Sequence, residues 1–421
     1  MLLLRNIAQI VTLAGEPVPR VGNSMSELGI IENGAILIRG ERIVWVGPTK
    51  DLPVREPGSR YQTVDGAGLD LVALPGFVDS HTHPVFTSTR VMEYDLRIQG
   101  KSEEEIAAAG AGISASVEQL RATPVNHLLE KMERLFRQFL SHGTTTIEAK
   151  SGYGLNIEEE LNNLHALAAL REHSRLEIVP TFLGAHAVPD EQAGSRAEYI
   201  RAIKEEMIPQ VVREGLAQFC DVFCEDSYFT LEEARSILQA AKDAGLGLRL
   251  HADELGHSGG AKLAAELGAR SADHLQNIDD TDIELLQRAG TVATLLPGTA
   301  FNLGLMRYAP ARKLIAAGVP VALATDFNPG TCFTPNMQII LAIACTQMRM
   351  TPAEAITAAT INAAYSLGLS DRLGTLEEGK QADVILMDVS DYRELPYFFG
   401  INHCVVTVKK GNVVIDRLER P

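Results

Sequence analysis

Cysteine is scarce in this chain: five among 421 residues (Cys220, Cys224, Cys332, Cys345 and Cys404), odd in number and without a Cys-x-x-Cys pair. A disulfide framework is therefore not expected, and the cytoplasm is the natural compartment. No apolar run approaches the roughly 20 residues of a membrane span. The first ten residues are broken by Arg5 and lack a cleavage-site pattern, so they read as a first strand rather than a signal peptide. Basic charge is in deficit, with 38 Lys plus Arg against 54 Asp plus Glu and a formal net charge of −16. That argues against nonspecific binding to nucleic acid or to an anionic membrane. Solenoid-type repeats and low-complexity segments are absent as well. What remains is an ordinary globular balance, 46% hydrophobic and 22% charged, on a chain long enough for one large barrel or two or three domains.

The two ends alternate apolar and polar residues between turns, and Gly34 to Gly47 reads as a hairpin turning near Gly40-Glu41. Ala382–Asp388, Val405–Val408 and Asn412–Ile415 read as strands. Residues 1–72 and 370–421 are therefore expected to pair into one small β-sandwich domain. Residues 73–369 count out as strand–helix units. The strands are expected to end at His83, Lys150, His186, Glu225, Glu254, Leu275, Pro297 and Asp326, with helices such as 125–141, 231–244 and 258–267 between them. Eight units make a TIM-type (β/α)8 barrel, an α/β fold whose active site lies at the C-terminal strand ends.

The chemistry-bearing residues fall at those ends. Leu71 to His83 is an apolar strand ending in His81-Thr82-His83, and residues two apart on a strand share a face. Two imidazoles thus leave one strand end on one side. A bare His-x-His is weak evidence, but His251 at the fifth strand end and Asp326 at the eighth complete three imidazoles and one carboxylate. Nitrogen and oxygen donors with an open position suit a catalytic divalent ion rather than a closed structural zinc site, and the motif alone does not choose among zinc, iron, nickel and copper. Glu254, three residues past His251, is placed to take a proton from activated water and hand it to a leaving nitrogen. His274 is a candidate partner for that water or for a ligand carboxylate. Lys150 and Glu225 raise the question of a second metal; one ion per chain is the expectation.

Several blocks resemble a known family. Pro75-Gly-Phe-Val-Asp-Ser-His-Thr-His83 and Glu378-Gly-Lys-Gln-Ala-Asp-Val384 are similar to the amidohydrolase superfamily. Within it, Lys150-Ser-Gly-Tyr-Gly-Leu155, Thr181 to Pro189, His251-Ala-Asp-Glu254, Leu296-Pro-Gly-Thr299 and Thr325 to Thr331 resemble the imidazolonepropionase family. The resemblance spans nearly the whole chain. It implies hydrolysis of a cyclic amide, the ring of 4-imidazolone-5-propanoate, to N-formimidoyl-L-glutamate in histidine degradation. It also implies one zinc or iron ion on His81, His83, His251 and Asp326. Substrate contacts would come from Arg90, Tyr153, His186 and Glu254, and Asn328, Gly330 and Thr331 would line the product's amino-acid end.

Two positions depart from the family pattern: Thr87-Ser88-Thr89 ahead of Arg90, and Glu103 where a tyrosine is usual. A glutamate facing inward there would repel a propionate. The chemistry implied is metal-activated water at the ring carbonyl, with Glu254 protonating the departing nitrogen and Arg90 holding a carboxylate as a bidentate pair. Expected partners are thus a small carboxylate-bearing substrate and neither nucleic acid nor membrane, with a homodimer allowed but not specified. Competing readings are a ring deaminase of the cytosine or guanine type, the same ring opening on another cyclic amide, and a barrel that has lost catalysis.

Overall fold

In the computed structural model the chain is described over residues 1–53, 61–189 and 195–418. The side chain of Glu103 lies outside the described residues, as do those of Glu104 and Ala107. The N-terminal strands are β1 (Leu2–Val11), β2 (Ile30–Arg39), β3 (Arg42–Pro48), β4 (Gln62–Asp65) and β5 (Leu71–Pro75). Then come β6 (Phe77–Asp79), β7 (Thr144–Lys150), β8 (Glu177–Ala185), β9 (Phe219–Cys224), β10 (Gly247–Ala252), β11 (Ser271–His274), β12 (Val292–Leu295) and β13 (Val321–Leu323). The C-terminal strands are β14 (Val384–Asp388), β15 (Cys404–Lys409) and β16 (Asn412–Asp416).

Both chain ends join one eight-stranded sheet in the order β16-β15-β14-β5-β1-β2-β3, with β4 also on β1. Leu4, Ile7, Ile36, Ile43, Val384 and Val406 bury its core face. The other eight strands run parallel in sequential order from β6 to β13. The fold is therefore the expected TIM-type barrel beside a β domain built from both ends. The chain crosses from β5 to β6 at Gly76, where a Cβ would sit 2.3 Å from Thr145 Oγ1, so only glycine permits the approach.

Closure depends on the first and last barrel strands. Asp326 N donates to His81 O at 3.1 Å, and His83 N donates to Phe327 O at 2.8 Å. Asp79 accepts from Thr325 N at 2.9 Å and Thr325 Oγ1 at 2.5 Å. The two strands that carry candidate ligands are thereby tied at the backbone. Outside, helices cover the strands with apolar stripes; in Val125–Ser141 these are Leu128, Met132, Leu135, Phe136, Phe139 and Leu140.

Most barrel strands end earlier than the apolar pattern suggests, β6 at Asp79 rather than His83. β10 stops at Ala252 because Asp253 turns to φ 53°, and β13 stops at Leu323, short of Asp326 at φ 53°. Glu254 and Asp326 therefore stand just past their strands.

At the opposite end of the barrel, ions fasten it to the terminal sheet. Glu177, at the start of β8, accepts from Arg372, from Gln381 at 3.1 Å and from Lys409 at 3.0 Å, and Lys409 also reaches Asp383 at 2.6 Å. Burial pushes the Glu177 carboxyl upward, but Arg372 and Lys409 prevail and hold it below the ordinary glutamate range. A carboxyl depressed on folding stabilises above its unfolded pKa, and that contribution fades as pH falls toward the folded value. Glu177→Gln should thus cost about 3 kcal/mol at pH 7. In urea unfolding the gap to wild type should shrink steadily below about pH 4; a gap independent of pH would contradict this.

Candidate metal centre and substrate cavity

β6 and the extended residues after it place Asp79, His81 and His83 on one face, at i, i+2 and i+4. His251 comes from β10, opposite. His83 Nε2 lies 3.2 Å from His81 Nε2 and 3.3 Å from His251 Nε2, and Asp326 Oδ1 lies 3.4 Å from His83 Nε2 and 3.6 Å from His81 Nε2. Ligands about 2.0–2.1 Å from a tetrahedral zinc stand roughly 3.3–3.4 Å apart, so this spacing fits one divalent ion. Burial drives the His81 and His83 pKa values well below the usual imidazole range, which keeps the rings neutral as ligands must be.

The far side of two of these rings is held by carboxylates. His81 Nδ1 donates to Asp273 Oδ2 at 2.7 Å. His251 Nδ1 lies 3.1 Å from Asp221 Oδ2, off the line of a good hydrogen bond, while His251 N donates to Asp221 Oδ1 at 3.2 Å. Each aspartate is backed by a buried cation. Lys150 Nζ is 2.8 Å from Asp221 and donates to Glu148 at 2.7 Å; Arg249 donates to Asp273 at 3.3 Å and to Ser80 O at 2.8 Å. Burial alone would raise Asp221, yet His251 and Lys150 hold it well below the usual carboxylate range. These contacts direct both Nε2 lone pairs inward.

Thr299 Oγ1 donates to the second oxygen of Asp326 at 2.5 Å. Glu254 approaches His274 Nδ1 at 3.4 Å, and burial, reinforced by Asp326 and Glu225, raises the Glu254 pKa well above the glutamate norm. His274 sits at φ 79°, and burial lowers its pKa to about 3. The residues suspected of a second ion are engaged otherwise. Glu225 accepts from Glu254 N at 2.6 Å and Leu255 N at 3.1 Å, and Lys150 is bound between its two carboxylates.

A cavity of about 630 Å³ opens onto this cluster, lined among others by His83, His186, Glu254, His274, Asp326, Arg90 and Thr331. The His186 ring lies against His83 with centroids 5.2 Å apart, and its Nδ1 donates to Gly152 O at 2.8 Å, leaving Nε2 as an acceptor. Tyr153 packs on His186, and burial raises its phenol above the tyrosine norm, so the hydroxyl keeps its proton. Asn328 also lines the cavity but uses its amide on its own loop: Oδ1 accepts from Gly330 N at 2.9 Å and Thr331 N at 2.7 Å. At Gly330 a Cβ would meet Arg90 Nη2 at 1.4 Å, so the guanidinium lies over the glycine and any side chain would displace it.

Most of the candidate residues named from sequence thus border one cavity or the imidazole cluster; Gly330 lies beside it under Arg90, and Glu225 instead holds the backbone of the Glu254 loop. Asp221, Asp273, Lys150 as a brace, Arg249 and Thr299 were not recognised there. A signal existed: an aspartate or arginine inside a wholly buried strand, as in Phe219-Cys-Asp-Val-Phe-Cys224, needs a partner. Asp221→Asn and Asp273→Asn should each weaken metal affinity about 10- to 100-fold in chelator competition. Unchanged affinity in both would remove their bracing role.

Comparison with known proteins follows the same line. The family model described as "Amidohydrolase family" matches residues 72–414, and "Imidazolonepropionase-like composite domain, bacteria" matches residues 34–55. Imidazolonepropionase of Solibacter usitatus is 50% identical over 98% of both chains. Imidazolonepropionase of Geobacillus kaustophilus is 46% identical over 99% of this chain and 98% of its own. Among solved structures, Escherichia coli guanine deaminase has a TM-score of 0.72 at 17% identity, covering 99% of this chain and 100% of its own. A Xanthomonas campestris adenosine deaminase with bound zinc has a TM-score of 0.71 at 20% identity, covering 100% and 94%. The deaminases share the fold, whereas the close relatives carry one name throughout, and the chain belongs to the imidazolonepropionase family of the amidohydrolases.

Proposed function

We propose that this chain hydrolyses the cyclic amide of 4-imidazolone-5-propanoate to N-formimidoyl-L-glutamate, a step of histidine degradation, in the cytoplasm. One zinc or iron ion on His81, His83, His251 and Asp326 would serve it. The observation that carries the reading is the lining of the cavity. The convergent imidazoles, Glu254 and His274 share one cavity with the Arg90 guanidinium, as a ring bearing a carboxylate tail requires. When bound, a divalent ion supplies Lewis-acid chemistry and activates water near neutral pH.

The chain's own groups do the rest. Glu254 retains a proton at pH values where an ordinary carboxyl has lost it, so it can donate to the departing ring nitrogen. His274, neutral down to about pH 3, hydrogen-bonds the attacking water or the ring oxygen without adding charge. His186 Nε2 accepts from a ring N–H, and the Tyr153 hydroxyl donates. Arg90 pairs with the propionate, while Asn328 shapes the loop that presents Gly330 and Thr331. The described residues include no helix long and apolar enough to cross a membrane, which agrees with a small-molecule enzyme.

Turnover of 4-imidazolone-5-propanoate, measured against other cyclic amides and aminated rings, tests the substrate. Inactivity on it with ammonia release from an aminated ring would establish the deaminase reading instead. Elemental analysis should find about one metal per chain. Glu254→Gln should lower the rate by about 10²–10⁴ with metal content retained; a loss of only a few-fold would move the proton transfer elsewhere. Arg90→Ala should lower kcat/KM by about ten- to a hundredfold, since a hydrogen bond to a charged group contributes roughly 1.5–3 kcal/mol. Gly330→Ala should mimic it by displacing the guanidinium, and a wild-type KM in Gly330→Ala would exclude that geometry.

A further inference from the structure

The helix Val91–Ile98 is amphipathic in the wrong sense. Val91 is 68% exposed, Ile98 66% and Met92 52%, whereas Glu93 is buried and Arg97 mostly so. A surface helix normally does the reverse, because burying charge costs free energy that apolar residues would not incur. The inward polar face therefore serves something other than packing. Glu93 and Arg97 are one turn apart, and Glu93 Oε1 accepts from Arg97 Nη2. Its other oxygen lies 3.4 Å from Arg90 Nε. Arg97 Nη1 donates to Gly330 O at 3.5 Å, at the limit of a hydrogen bond, while Arg90 covers the same glycine from its Cα side.

Arg90, Glu93 and Arg97 all line the cavity that opens onto the imidazoles. Their side chains are only 10%, 5% and 17% exposed. Two guanidiniums share one carboxylate, which leaves one positive charge in excess on a mostly buried wall of a protein whose net charge is −16. Buried charges require partners, and one carboxylate from a ligand would complete this set. Both arginine Nε atoms are buried without a hydrogen-bond partner among the described residues.

We infer that Arg97 is a second anchor for the substrate carboxylate, beside Arg90, and that Glu93 is the positioning residue holding both guanidiniums on the cavity wall. This rests on the reading of the substrate as a ring with a propionate tail. It makes selectivity for a monoanionic substrate a property of the Arg90–Glu93–Arg97 face rather than of one arginine.

The test uses metal-loaded protein and two non-hydrolysable probes, 3-(imidazol-4-yl)propanoate and its uncharged amide, with affinities measured by calorimetry. Wild type should favour the acid. Arg97→Met should cut the acid-to-amide preference about tenfold, leave amide affinity unchanged as a check on folding, and raise KM more than it lowers kcat. Arg97→Lys should recover part of the preference, and Glu93→Gln should reduce it without touching the probe directly. An unchanged preference in Arg97→Met, even with reduced activity, would make Arg97 merely structural and overturn the inference. The substrate reading fails separately. A wild type inactive on 4-imidazolone-5-propanoate, yet with an Arg97-dependent acid preference, would keep the anchor and lose the substrate. One that turns it over with no acid preference would lose the anchor and keep the substrate.

Discussion

Three imidazole nitrogens aimed at one point form an arrangement that needs a cation, and the barrel interior is built to sustain it. Asp273 accepts a hydrogen bond from His81 Nδ1, Asp221 faces His251 Nδ1, and Arg249 and Lys150 pair with those buried aspartates. Burial raises Asp79 to about 7 and Glu254 well above its norm. The residues that orient the ligands are thus themselves braced by buried charge behind them.

Backbone strain at the strand ends does complementary work. Asp253, His274 and Asp326 all adopt left-handed φ, a conformation costing of order 1–3 kcal/mol where no glycine relieves it. Each turn breaks the strict alternation of a strand and delivers a side chain to the cavity that regular pleating would send elsewhere. Asp253 is secured by accepting from Gly259 N at 2.9 Å and Ala261 N at 2.7 Å, and Glu225 secures the next two amides. The Glu254 carboxyl is thus placed by its loop's backbone, not by side-chain packing.

How much of this was legible in the sequence follows from the range of each interaction. His81 and His83 share a face by the period of a strand, and counting strand–helix units puts His251 and Asp326 at the same barrel end; both are local patterns. The pairing of His81 with Asp273 is not, because it depends on where two strands meet across a barrel. Arg249 reads as an ordinary polar residue until its strand proves buried, and Lys150, singled out as a question about a second metal, shows its bracing role only there. Glu93 and Arg97 were hidden by an apparently normal charged helix whose inward face only tertiary contacts reveal. Asn328 was legible as a site residue, but its self-contained turn with Gly330 and Thr331 needed coordinates.

The relation between the imidazole cluster and the arginine wall follows from topology. Ligands at barrel strand ends are fixed by the sheet, and solved structures with TM-scores near 0.7 and under 25% identity share that fold alone. Specificity must then come from the loops. Here the segments after β6 and β13 are bound to each other at the backbone, through His83 N to Phe327 O and Arg90 N to Pro329 O at 3.2 Å. The arginine wall is consequently carried on the same two strands as His81, His83 and Asp326. Its placement beside the imidazole cluster therefore depends on the same backbone bonds that close the barrel.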